Sequence, residues 1–284
     1  MSSKKSKQPK KAGSVIYDIA IIALLAIMAI SSWHVYRYYS DSHAQESRYD
    51  ELAAIVQAAK DSDESTIPSV PAETHILENE PSTEDAAQPT DEAPILPEYA
   101  PLLEMNPDFV GWLEIEGTQI NYPVMQSPNE PDFYIDHNFD RQYSARGCLY
   151  AEEACDIAAP SDNITIYGHH MNDGSMFATL KYYLDPAHRD KRPYIQFDTL
   201  TEHHTYEIFA VFKTTATVSK GFPYHNFVDA PDENSFDNFI EDCLSLSLYN
   251  TGIVPQYGDK IICLSTCEYS QANGRLVVCA VRID

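Results

Sequence analysis

From residue 15 to residue 33 the chain is apolar apart from Asp18 near its start and Ser31 and Ser32 near its end. About 20 such residues are what a helix needs to cross a bilayer. Trp33, Tyr36, Tyr38 and Tyr39 follow it, as aromatic side chains do at a membrane interface. Residues 42–60 then carry Leu52, Ile55, Val56 and Ala59 on one helical face, which predicts a short juxtamembrane helix. Residues 98–105 predict another short helix, ending before Asn106-Pro107. From residue 110 the period changes from helical to alternating. Residues 110–125 alternate across a Gly117-Thr118 turn and predict a hairpin. Short pieces follow at 132–139 and 147–150, then strands at 163–167, 194–198 and 205–214, with a helical stretch at 176–183. Phe236, Phe239, Ile240, Cys243 and Leu244 return to helical spacing behind Pro231-Asp232-Glu233, a helix start. The chain closes on two β-branched runs, 261–265 and 276–281, joined by Gln271-Ala272-Asn273-Gly274. Many short strands with few helices predict an all-β barrel or sandwich with added helices.

Charge divides the chain further. Lys4, Lys5, Lys7, Lys10 and Lys11 precede the apolar run with no acid among them, which keeps the N-terminus cytoplasmic and the remainder outside. The expected organisation is a basic tail (1–14), a transmembrane anchor (15–36), a juxtamembrane helix with an acidic, proline-rich disordered stalk (37–94), and a folded extracellular domain (95–284). A cleaved signal peptide, with small residues near 29–32, is the competing reading of the first run. Between Asp61 and Glu98 no Lys or Arg occurs, while Asp, Glu and Pro recur. Such a segment buries too little apolar surface to fold. With 19 basic and 43 acidic residues the net charge is −24. A nucleic-acid partner is excluded, because the phosphate backbone would be repelled.

Candidate chemistry concentrates at the closing hairpin. Cys267 ends the first run, and Arg275 begins the second, eight residues later. A hairpin brings that thiol and that guanidinium to one end of a sheet, where a nucleophile beside a fixed cation suits acyl transfer. Such a thiol needs a proton partner. His169 follows the strand at 163–167 in a glycine-containing loop and is the candidate; His170 is expected to point elsewhere. His203 and His204 lie in a polar turn and read as ordinary loop histidines. A zinc site from His169, His170, Cys148 and Cys155 matches no ligand spacing. Cys263 and Cys279 sit inside apolar runs and are expected as reduced core residues, although an extracellular compartment permits disulfides.

Leu264-Ser265-Thr266-Cys267, then Arg275-Leu276-Val277-Val278, with Tyr167-Gly168-His169 upstream, resembles the active site of a sortase. Residues 110–124 and the helix of residues 231–248, inserted between two late strands, resemble class B sortases more narrowly. The resemblance covers residues 96–284. It implies an eight-stranded sortase-type β-barrel and a membrane-tethered cysteine transpeptidase facing the cell wall. By it, Cys267 is the nucleophile, His169 the acid/base and Arg275 the group that holds the oxyanion or orients substrate. Some class B members have an Asp shortly after the cysteine; here Glu268, Tyr269 and Ser270 follow, so the expected set is Cys, His and Arg. Ser265, Thr266 and Glu268 beside the nucleophile, and Tyr224 in the loop before the inserted helix, are candidates for contact with substrate. The implied reaction cleaves a C-terminal sorting motif of LPxTG or NPxTx type after Thr. The acyl group then passes to an amine of a peptidoglycan precursor or a pilin. Neither metal nor cofactor is implied, and Glu152, Glu153 and Asp156 read as a solvated turn. The alternatives are a cell-wall cysteine peptidase, with water as acceptor, and a non-catalytic anchored binding domain.

Overall fold

The computed structural model describes residues 12–64, 93–217 and 220–284. The acidic stalk expected before the folded domain lies outside the described residues from 65 to 92. Helix α1 spans Ala12–Glu64. Neither Gly nor Pro occurs from Ser14 to Glu64, so no residue there breaks the helical hydrogen-bond ladder. The two helices expected over 15–36 and 42–60 are therefore one element. Among the described residues it is the one helix long and apolar enough to cross a membrane.

The chain divides into two units, Met1–Ser47 and Arg48–Asp284. The second unit starts well before residue 95, the expected start of the globular domain. Tyr49, Leu52 and Val56 are buried in its core, the Tyr49 hydroxyl donates to the Gly147 carbonyl at 2.6 Å, and Arg48 pairs with Asp140 at 2.8 Å. An apolar stripe shows that a helix face is covered, but not by what. Here the cover is the body of the domain.

That body is a closed barrel of eight strands. They are β1 (Phe109–Glu114), β2 (Asn121–Met125), β3 (Leu149–Ala151), β4 (Asn163–Tyr167), β5 (Tyr194–Thr199), β6 (Thr205–Thr215), β7 (Ile261–Glu268) and β8 (Gly274–Arg282), in the order β1-β2-β3-β4-β7-β8-β6-β5. Strand β5 pairs back onto β1, so the sheet has no open edge. Helices α2 (Ala100–Met105), α3 (Pro186–Lys191) and α4 (Glu233–Leu246) are added to it. The helical stretch expected at 176–183 is a 3-10 helix over Phe177–Leu184.

Alternation along the strands makes two cores. From β7 and β8, Ile262, Leu264, Leu276, Val278 and Ala280 point into the barrel. Ile261, Cys263, Val277, Cys279 and Val281 point out, where Phe236, Phe239, Ile240 and Cys243 of α4 cover them. The α4 residues recur at intervals of three and four, which puts them on one face. Asp232 caps that helix by accepting from the Ser235 backbone N–H at 2.8 Å.

Candidate active site

Strands β4 and β7 run parallel, so both finish at the same rim of the barrel. Antiparallel β8 starts there. The register sets Tyr167 beside Ser265 and Cys267 opposite Arg275. His169 lies two residues beyond the end of β4. Gly168 allows this junction to close, because a Cβ there would run into the side chains of Leu149 and Phe177. His169 and the distant Cys267–Arg275 pair thus share one cavity of about 60 Å³, lined also by Ile135, Tyr150, Tyr167, Gly168, Ser265 and Thr266. Size does not select this site. A cavity of about 700 Å³ lined by Val110, Gln126, Cys155 and Leu200 holds no such combination; the Cys155 thiol donates to the Asn163 carbonyl at 3.3 Å.

Cys267 is half-buried, and an Arg275 Nη1 lies 3.7 Å from its Sγ. The same nitrogen donates to the Gly274 carbonyl at 3.1 Å, which fixes the head of the guanidinium. The His169 Nε2 is 2.7 Å from the Ile135 carbonyl. A carbonyl only accepts, so Nε2 carries a proton, and in the neutral ring Nδ1 is the nitrogen without one. A backbone carbonyl thus occupies the position where a carboxylate supports the imidazole in an acid-supported triad.

Tyr150 and Tyr167 form an aromatic wall, their ring centroids 5.2 Å apart. The Tyr167 hydroxyl donates to Glu152 at 2.6 Å and the Tyr150 hydroxyl to Asp132 at 2.9 Å. Burial, followed by those carboxylates, pushes both phenols far above their ordinary pKa and keeps them protonated. Sequence reading passed over these two tyrosines and Ile135 as site residues. Tyr167 stood in the quoted motif, directly before Gly168-His169, and its position at a strand end was the available signal.

The candidates for substrate contact separate. Ser265 and Thr266 line the cavity but are buried. The Ser265 Oγ lies 2.5 Å from the Tyr224 hydroxyl. Tyr224 is buried in the outer core and does not line the cavity, which makes it a packing aromatic behind the wall. Glu268 is committed to its own turn: Oε1 accepts from Lys213 at 2.9 Å and Oε2 from the Ser270 hydroxyl at 2.6 Å and backbone N–H at 3.1 Å. Burial pushes its pKa up, but the Ser270 and Lys213 bonds outweigh this and hold the carboxyl below its ordinary value. His203 pairs with Asp198 at 2.9 Å and His204 with Asp284 at 3.3 Å, both away from the cavity. Among the described residues no three His, Cys, Asp or Glu are grouped to hold a metal ion.

Residues 113–283 match the sortase domain. The chain belongs to the sortase family, within its class B. It is 32% identical to sortase B of Listeria monocytogenes over 198 residues, covering 69% of this chain and 78% of that protein. It is 30% identical to sortase B of Staphylococcus aureus over 190 residues, covering 66% and 75%. Among solved structures it is similar to sortase B from Bacillus anthracis, with a TM-score of 0.66 and 27% identity, covering 87% of this chain and 99% of that one. Membership makes the chain a cysteine transpeptidase. The fold expected of a class B sortase, a ring of eight strands with added helices, is the fold observed.

Proposed function

We propose that this sortase is a membrane-anchored enzyme that cuts a C-terminal sorting motif of LPxTG or NPxTx type after its Thr. The observation that carries this reading is the β7–β8 register, which faces Cys267 with Arg275 at the cavity that His169 also lines. In the reading, the Cys267 thiol passes its proton to His169 Nδ1, and the sulfur bonds to the Thr carbonyl carbon. Arg275 donates to the carbonyl oxygen as its charge grows, from a planar fork that suits an oxyanion. His169, through Nδ1, gives a proton to the departing amine as the C–N bond breaks, leaving a thioacyl-enzyme. An amine from a peptidoglycan precursor or a pilin then attacks that carbonyl and gives a proton to His169. The C–S bond breaks and the thiolate is restored. Tyr150 and Tyr167 wall the groove, and Ser265 and Thr266 border the scissile bond. The apolar part of α1, preceded by five lysines, anchors the N-terminus on the cytoplasmic side and leaves the barrel outside.

The test is turnover of fluorogenic sorting peptides with and without an amine acceptor. Amine-dependent joined product is the expected result. Hydrolysis of unrelated peptides would favour a peptidase. No turnover and an unreactive Cys267 would leave a binding domain.

A further inference from the structure

His169 is oriented by one backbone oxygen, the Ile135 carbonyl that its Nε2 meets at 2.7 Å. That oxygen is not free to drift. Gly147 packs directly against it: a Cβ at this glycine would lie 2.5 Å from both the Tyr134 and the Ile135 carbonyl oxygens. Its φ of 57° is a second reason for glycine there. The next residue, Cys148, donates its N–H to the Tyr134 carbonyl at 2.9 Å. Gly147 is in turn fastened by α1, because the Tyr49 hydroxyl donates to its carbonyl at 2.6 Å. The phenol's proton is used in that bond, so the Cys148 thiol, 3.2 Å away, is the donor to the Tyr49 oxygen.

The same tyrosine reaches the His169 loop by another path. Its ring meets Tyr122 edge-on, with centroids 5.4 Å apart. The Tyr122 hydroxyl accepts from the Met176 N–H at 3.2 Å, and the Met176 backbone bridges to His170. The Phe177 N–H donates to the His169 carbonyl at 2.9 Å. Arg146, next to Gly147 and almost fully buried, adds bonds to Asp173 at 2.7 Å and to Ser175. Tyr49 is itself buried, and burial pushes its pKa far above the ordinary value, so the hydroxyl stays a donor. It lies well before residues 113–283, the part that matches the sortase domain.

We infer that Tyr49 is a positioning residue for the transpeptidation. Its hydroxyl holds Gly147 against the Ile135 carbonyl, and that carbonyl holds the Nε2–H ring of His169, leaving Nδ1 for the reaction. This rests on His169 being the acid/base of the proposed function. Without the hydroxyl, the Gly147 carbonyl loses its buried donor, and the segment shifts to recover one. Catalysis tolerates little slack at such a point, since a misplacement of about 1 Å can cost about 100-fold in rate.

The test uses the full chain, with rates referred to molecules whose Cys267 is reactive, so that unfolded protein does not count. Tyr49→Phe keeps the ring against Tyr122 and removes only the hydroxyl. We expect kcat for amine-dependent transfer to fall about 10-fold, the scale of a shift well under 1 Å. KM for the sorting peptide should stay within about twofold, since no group that touches substrate has changed. Val56→Ala, about two turns further along the same buried face, is the control: it should lower the melting temperature and leave kcat unchanged. Placing para-aminophenylalanine at position 49 restores a donor and should recover most of the rate. Unchanged kcat in Tyr49→Phe, an equal loss in Val56→Ala, or no recovery with the amino analogue would overturn the inference. Whether or not Tyr49→Phe folds, the linkage can be read from its other end, because coupling between two sites is reciprocal. In His169→Ala the carbon resonances of the Tyr49 ring and the Gly147 carbonyl should both shift, while those of the Tyr206 ring stay in place; unmoved signals at 49 and 147 would also overturn it. Transfer surviving in His169→Ala would instead strike the acid/base assignment itself.

Discussion

Two rungs of one ladder put cysteine to different uses. Cys267 faces Arg275 and, four residues back along β7, Cys263 faces Cys279. Both pairs lie on the outer face of the same two strands. On that face the one rung between them is Ser265 and Val277. At the inner rung both cysteines are fully buried beneath α4, with Cys243 in the same cluster. Their sulfurs lie 2.9 Å apart, and both are free thiols. Burial pushes the Cys279 thiol far above its ordinary pKa, and the neighbouring thiols add to this, so the nucleophilic thiolate is suppressed. At the outer rung α4 no longer covers the face, a cavity opens, and the cross-strand partner is a cation. Residue type and sheet face are held constant here. What changes is cover and partner, and those decide whether a cysteine is packing or chemistry.

The largest expected effect breaks the outer rung at its sulfur. Cys267→Ala should abolish the covalent adduct with a sorting peptide, read by mass spectrometry, while the melting temperature stays close to wild type. An adduct on Cys148, Cys155 or Cys243 would contradict the assignment. Changing the partner comes next. Arg275→Lys keeps the charge and loses the planar fork. Removal of one well-placed oxyanion donor typically costs about 100- to 1,000-fold in rate, and kcat/KM should fall by that order. Arg282 on the same strand is the control and should accept Lys. Near-wild-type turnover by Arg275→Lys would show that guanidinium geometry is not used.

The inner rung should behave in the opposite way. Cys279→Ala removes a buried sulfur from a packed cluster, and we expect a loss of about 1–2 kcal/mol, the usual scale for a small core truncation. Turnover per folded molecule should not change. In native protein an alkylating agent should label Cys267 alone, whereas denaturation without reductant should release six reactive thiols. A missing pair at Cys263 and Cys279 would show that the inner rung is cross-linked and that reading both as core thiols was mistaken.

How much of this was legible beforehand follows the range of each interaction. The β1–β2 hairpin and α4 were readable because their signals, alternation across a glycine turn and a stripe at intervals of three and four, are local. The closing hairpin was readable for the same reason, so Cys267 and Arg275 could be placed together. The parallel pairing of β4 with β7 spans nearly a hundred residues and leaves no local mark; His169 was a candidate from its place after a strand in a glycine-containing loop, and the family motif agreed, but neither showed the pairing that brings it to Cys267. The Ile135 carbonyl beside His169 was invisible because a backbone carbonyl has no residue identity. Tyr224 looked like a groove wall because aromatics beside a site are ambiguous until burial is known. The stripe of α1 announced an apolar face without naming the barrel that covers it.

The smallest expected effect concerns what holds the outer rung closed. The inner rung is held by packing, which does not titrate near neutral pH. The outer rung ends in a turn that Gly274 permits, since a Cβ there would meet the Glu268 carbonyl, and that Glu268 fastens through Lys213 and Ser270. The folded-state pKa of Glu268 is lowered, so the unfolded chain binds the extra proton first as acid is added. The contribution of this carboxylate is therefore complete above the ordinary glutamate value of about 4.5 and disappears as pH falls through the lowered folded value. A partly exposed ion pair of this kind is worth a few tenths of a kcal/mol to about 1 kcal/mol. Lys213→Met should cost that much at neutral pH and flatten the acid limb of the stability curve. Hydrogen exchange can locate the effect. On acidification below about pH 4.5, amides 268–274 should lose protection while those of 261–264 keep theirs, once intrinsic exchange rates are corrected. In Lys213→Met the turn should show the acid pattern already at neutral pH. Equal loosening of both rungs would mean that acid acts on the whole barrel and that Glu268 is no separate fastening.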